Sequence, residues 1–130
     1  MMYLIWLMLG GAMGTLGRYL ITLLSIKFWG LQFPFGTLIV NAVGSLMIGF
    51  IWGMWDAKDL KPEIKAFLIM GVLGGFTTFS AYSVETLSLF KAGQIKLALV
   101  NILANNLLSL VMVFLGYVIG KWCSSSTTGK

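Results

Sequence analysis

Histidine is absent from these 130 residues, and the chain has only four acidic side chains, two prolines and one cysteine. Without histidine, paired carboxylates or a set of thiols, neither general acid–base catalysis nor a side-chain metal centre has the groups it needs. An enzyme is set aside on that ground. The single Cys123 cannot close a disulfide within the chain. Charged residues are scarce as well, at 10% of the total, while 58% are hydrophobic. With a mean hydropathy of +0.93, a water-soluble core is excluded.

What is present is a succession of four apolar runs, at about 3–26, 33–55, 66–90 and 97–119, each close to the ~20 residues that cross a bilayer as a helix. The expected fold is therefore an all-α membrane protein with four transmembrane helices in a single domain, 1–123, followed by a polar tail, 124–130, expected to be disordered. No basic stretch precedes the first run and no small-residue cleavage site follows it, so that run is expected to be a retained helix. The net charge of +5 resides in loops beside the spans, where lysines match anionic lipid head groups and make no case for nucleic acid. The mixed-charge stretch 56–65 reads as a solvated connector, and Pro62 is placed to begin a helix.

The third run is interrupted by Gly74-Gly75-Phe76-Thr77-Thr78-Phe79-Ser80-Ala81-Tyr82-Ser83. Adjacent glycines followed by hydroxyl residues disfavour a regular helix, so a break is expected at the centre of this span. Non-helical backbone at membrane depth survives only where it is buried in protein or lines a polar cavity. This stretch is the candidate working site.

Polar residues recur at helical spacing on either side of it. Thr37, Asn41 and Ser45 lie four apart in the second run, and Asn101, Asn105 and Ser109 do so in the fourth, so each helix carries a polar strip and Asn106 turns away from the second. Such strips serve interhelical hydrogen bonding or line a path. Amide and hydroxyl hydrogens can donate to an anion. Phe79 and Tyr82 share one side of the third helix, as core packing or as ring edges facing a small anion. Arg18 lies well inside the first run, where it faces a watery vestibule or a partner, or snorkels to the interface. Glu85 is the one span carboxylate, paired with Arg18 or capping the restarted half-helix. Every run also holds a GxxxG step (Gly10/Gly14, Gly49/Gly53, Gly71/Gly75, Gly116/Gly120), which argues for close helix packing and, in so small a chain, for an oligomer.

If the spans alternate, Lys58, Lys61, Lys65, Lys121 and Lys130 lie on one face, with Lys27, Lys91, Lys96 and arguably Arg18 on the other. So small a bias gives no firm orientation. Insertion both ways makes an antiparallel homodimer the natural assembly.

Three segments together, Gly14-Thr-Leu-Gly17-Arg18-Tyr19, Gly36-Thr37-Leu-Ile-Val-Asn41-Ala-Val-Gly44 and above all Gly74-Gly-Phe-Thr77-Thr-Phe79-Ser-Ala-Tyr82-Ser-Val-Glu85, resemble the Fluc, or CrcB, fluoride channel family. The resemblance covers all four spans in order. It implies a dual-topology antiparallel homodimer in the bacterial inner membrane, with two pores that let cytoplasmic fluoride leave passively. It further implies one structural Na+ between the subunits, held by the backbone carbonyls of Gly74 and Thr77. Phe79 of one subunit and Tyr82 of the other would align the pore, Asn41 would hydrogen-bond fluoride, and Thr37, Asn105 and Ser109 would continue the track. Arg18 would hold positive potential at the vestibule. Tyr82 stands where the family usually has phenylalanine, and Asn105 where it commonly has a smaller hydroxyl residue.

Two other readings fit the size and hydropathy. A small dual-topology multidrug exporter would rely on a carboxylate in the first span, where this chain has Arg18. A non-transporting membrane scaffold would use the GxxxG steps and leave the polar strips without purpose.

Overall fold

The computed structural model describes residues 2–55 and 59–128. The start of the charged connector, 56–58, and the end of the tail, 129–130, lie outside the described residues. Four helical stretches among those described are long and apolar enough to cross a membrane. Helix α1 is Met2–Trp29 and α2 is Phe35–Met54. The third stretch is composite: α3 (Pro62–Lys65), a π-helical segment Ala66–Leu73, the short α4 (Gly74–Phe76) and α5 (Phe79–Lys91). Helix α6, Ile95–Thr128, completes the chain.

Local chemistry accounts for the helix ends. Gly30 (φ 75°) follows α1 and Gly93 (φ 74°) follows α5, in a left-handed conformation that costs glycine nothing. Around Gly93 the amide of Gln94 donates to Leu89 O at 2.9 Å and that of Gly93 to Phe90 O at 3.0 Å, so carbonyls left over by the helix are satisfied. Pro62 opens α3, where its missing N–H costs nothing.

Helix α2 is the most enclosed. Its Val40 is fully buried, and its small residues Gly36, Ala42, Gly44, Gly49 and Gly53 are buried as well. Seams of glycine explain why. A Cβ on Gly49 or Gly53 would run into the α6 backbone at Val113 and Tyr117, and one on Gly116 or Gly120 into the α2 backbone at Leu46 and Phe50. On the other side, Gly10 and Gly14 of α1 meet the backbone of Phe67 and Val72, while Gly71 and Gly75 meet that of Gly10 and Gly11. All four GxxxG steps are therefore consumed within one chain, α1 against the third span and α2 against α6. This corrects the expectation that they argue for an oligomer, since close backbone approach names no partner.

A second correction concerns the tail. Residues 124–128, expected to be disordered, continue α6. The Ser125 and Ser126 hydroxyls each donate to Trp122 O at 2.9 Å, a local bond that keeps serine compatible with a helix.

Candidate functional site

The last helical bond before the break is from the Thr77 amide to Leu73 O at 3.0 Å. Thr77 (φ −81°, ψ 156°) and Thr78 (φ −155°, ψ 122°) are extended, and α5 begins at the next residue. Two cap bonds divert the donors that would continue the helix. The Thr78 amide donates to Asn41 Oδ1 at 2.8 Å, and the Ala81 amide to the Thr78 hydroxyl at 3.2 Å. In an unbroken helix these amides would serve the carbonyls of Gly74 and Thr77, four residues back. Those carbonyls are thereby released. The interruption sets the carbonyl end of α4 beside the amide end of α5, so partial charges of both signs meet at one level of the span.

Asn41 acts as a splint across this gap. Its Nδ2 donates to Thr78 O and to Asn105 Oδ1, both at 3.0 Å, while its Oδ1 takes the Thr78 N–H. A side-chain amide has one acceptor and two hydrogens, and all are engaged. The bonding then runs along α6. Asn105 Nδ2 donates to Asn101 Oδ1 at 2.8 Å, Asn101 Nδ2 to the Thr86 hydroxyl at 2.9 Å, and that hydroxyl to Tyr82 O at 2.8 Å. Asn101 is fully buried, and a closed chain of amides is how such a group is tolerated away from water. The polar strips of α2 and α6 thus face each other and the third span together.

Beside this network lies a cavity of about 500 Å³, lined by Ser45, Thr77, Phe79, Tyr82, Asn106 and Ser109 among others. The amide hydrogens of Asn41 and Asn105 are directed into the wall, whereas no hydrogen-bond partner is found for the hydroxyls of Ser45 and Ser109 among the described residues. Phe79 is 74% exposed and Tyr82 only 8%, with ring centroids 5.1 Å apart and planes tilted by 57°. Gly44, on the cavity side of α2, is required by contact. A Cβ there would overlap the γ-methyl of Thr77. A second cavity, about 370 Å³, is lined by apolar residues such as Met47, Phe50 and Leu68 and offers an anion nothing.

The expected residues are therefore partly gathered. Asn41, Asn105, Ser109, Phe79 and Tyr82 border one cavity with Gly74 and Thr77. Thr37 lies outside it and donates to Glu85 Oε1 at 2.6 Å. That bond corrects the pairing of Glu85 with Arg18. Glu85 Oε2 is buried without a partner among the described residues. Arg18 is half-buried on α1 and does not line the cavity. Thr78 lies in the stretch expected to be the working site but has no role of its own there, and sequence reasoning missed Thr86 and Asn106. Thr86 belongs to neither polar strip, and its only signal is its place one residue after Glu85. Asn106, expected to turn away from the strip, reaches Tyr82 Oη with its amide at 3.2 Å.

Residues 5–117 match the family model described as CrcB-like protein, Camphor Resistance (CrcB). A fluoride-specific ion channel FluC of Parabacteroides distasonis is 43% identical over 115 residues, covering 88% of this chain and 90% of the relative. A protein of the same name from Shewanella loihica is 47% identical over 113 residues, with coverage of 87% and 91%. The one from Legionella pneumophila is 41% identical over 118 residues, with coverage of 88% and 86%.

Proposed function

The chain belongs to the CrcB family, and from that premise we propose that it is a fluoride-specific channel of the bacterial membrane, letting the anion leave the cytoplasm passively. The observation that carries this reading is the cavity at the break. It is bordered by the Ser45 and Ser109 hydroxyls, for which no partner is found among the described residues, and by two aromatic rings, inside a helix bundle long and apolar enough to span a membrane. Fluoride holds its water tightly, so a pore must replace hydration with closely placed donors, and short side chains on packed helices do that for a small anion. Asn41 and Asn105 hold the wall in place, Phe79 and Tyr82 present ring edges, and Thr37 with Glu85 continues the polar track. Arg18 supplies positive potential at the vestibule.

The working unit in this reading is an antiparallel homodimer. Phe79, Ser80, Ser83 and Gly74 are exposed on one chain although they lie in the middle of a membrane span, and hydroxyls there are better covered by a second copy than by lipid. In this reading the same face would present the carbonyls of Gly74 and Thr77, released at the break. Oxygen donors without side-chain charge suit a hard monovalent cation, so a structural Na+ between two copies fits the residues present. The multidrug-exporter alternative lacks its carboxylate, since α1 has no acidic residue. A scaffold would have no use for the cavity.

The test is fluoride efflux from liposomes carrying the purified protein, read with a fluoride electrode after addition of a potassium ionophore, beside chloride-loaded vesicles. Fluoride release without chloride release supports the channel. No release from folded protein would return weight to the exporter and the scaffold.

A further inference from the structure

Tyr82 carries a hydroxyl at the cavity wall, and its one hydrogen-bond partner among the described residues is Asn106. The direction of that bond is determined by a third group. Asn106 Nδ2 also donates to Ile102 O at 2.7 Å, and turning the amide over would set two oxygens against each other at that distance. The nitrogen therefore faces both Ile102 O and Tyr82 Oη, so the phenol oxygen accepts. Its own hydrogen is left without an acceptor among the described residues. Tyr82 is 8% exposed, and its ring lies against Phe79 at 5.1 Å, so the phenol oxygen is held in place while its hydrogen can rotate toward an acceptor.

We propose that the Tyr82 hydroxyl is a hydrogen-bond donor to the permeating anion, oriented by Asn106, which makes it a specificity-determining group of this particular chain. The inference rests on the channel reading above. A phenol at this position does more than present a ring edge: the Asn106 donor polarises the hydroxyl, and a polarised O–H is a better donor. Hydrogen bonds to a charged acceptor are stronger than those to a neutral one, so the contact favours a small, charge-dense anion. Asn106 is a positioning residue that acts only through Tyr82.

The experiment is fluoride current against fluoride concentration in planar bilayers, for the full chain, Tyr82→Phe, Asn106→Ala and the double variant. Tyr82→Phe removes one oxygen and keeps the ring. It is expected to raise the half-saturating fluoride concentration by roughly tenfold, as expected for losing one hydrogen bond to a charged group. Asn106→Ala alone is expected to cause a smaller rise, and in the Tyr82→Phe background none. Equal half-saturation in Tyr82→Phe and the parent would overturn the donor role while leaving the channel intact. An Asn106→Ala effect that persists without the hydroxyl would overturn the positioning role. Absence of fluoride current in the parent chain would defeat the channel reading itself, and this inference with it.

Discussion

The side-chain amide of Asn41 pairs with both backbone groups of Thr78, taking its N–H at 2.8 Å and donating to its C=O at 3.0 Å. An extended residue in a span has no strand beside it. Asn41 replaces one, and the break persists because a helix on the other side of the cavity supplies the missing ladder.

Asn41→Ala leaves both Thr78 groups unpaired, at a cost of about 1–3 kcal/mol for each buried group. A thermal midpoint lowered by several degrees in detergent and loss of fluoride efflux are the expected outcomes. Asn41→Asp should be blocked too. A carboxylate there would face Thr78 O and Asn105 Oδ1, which now receive hydrogens, and would set a negative charge beside an anion path. Normal efflux with Asp would take Asn41 out of the path.

How much of this was legible in the sequence depended on whether a pattern names its own partner. Run length alone is enough to identify a span, and Gly74-Gly75 is enough to place the interruption near Thr77 and Thr78. The GxxxG steps announce close approach, but Gly49 bears no mark saying that it meets Val113 and not a second subunit. Asn106 escapes the pattern because angular spacing on α6 ignores reach: the long Tyr82 side chain comes to it from α5. Nothing in the composition of Ala66–Leu73 announces its π-helical winding. The hydroxyls of 124–126 read as tail because serine competes with helix in isolation, whereas here two of them bond back into it.

Gly44→Ala forces a methyl group into the γ-methyl of Thr77. Overpacking of this kind costs about 1–3 kcal/mol, and here it displaces an extended residue at the cavity edge. Fluoride efflux should fall sharply. Thr77→Ser removes the γ-methyl and keeps the hydroxyl that donates to Leu73 O at 2.9 Å, so Gly44→Ala with Thr77→Ser should recover most of the efflux. A double variant no better than Gly44→Ala would show that this contact is not the cause.

Phe79→Ile keeps an apolar side chain and loses the ring edge. Because the ring is three-quarters exposed on one chain, chain stability should change by only about 0.5 kcal/mol. Efflux should be abolished while the elution volume of the assembly in size-exclusion chromatography is unchanged. Undiminished efflux would count against the aromatic role.

The proposed insertion in both orientations, drawn from the near balance of Lys58, Lys61, Lys65, Lys121 and Lys130 against Lys27, Lys91, Lys96 and Arg18, has a direct test. Asp59 lies in the connector before α3 and Gln94 in the turn before α6, both exposed, at opposite ends of the third span. Single cysteines at each, in a Cys123→Ser background, should both react with a membrane-impermeant maleimide on intact cells, each to about half, as expected when the charge bias is too small to choose a side. Two extra lysines beside Gln94 should then shift labelling strongly toward Asp59→Cys, since loop charge near the spans sets orientation. Fluoride efflux should fall with that shift, because an antiparallel pair needs both orientations. Labelling of one site only in the parent chain would defeat the antiparallel dimer, whatever the efflux.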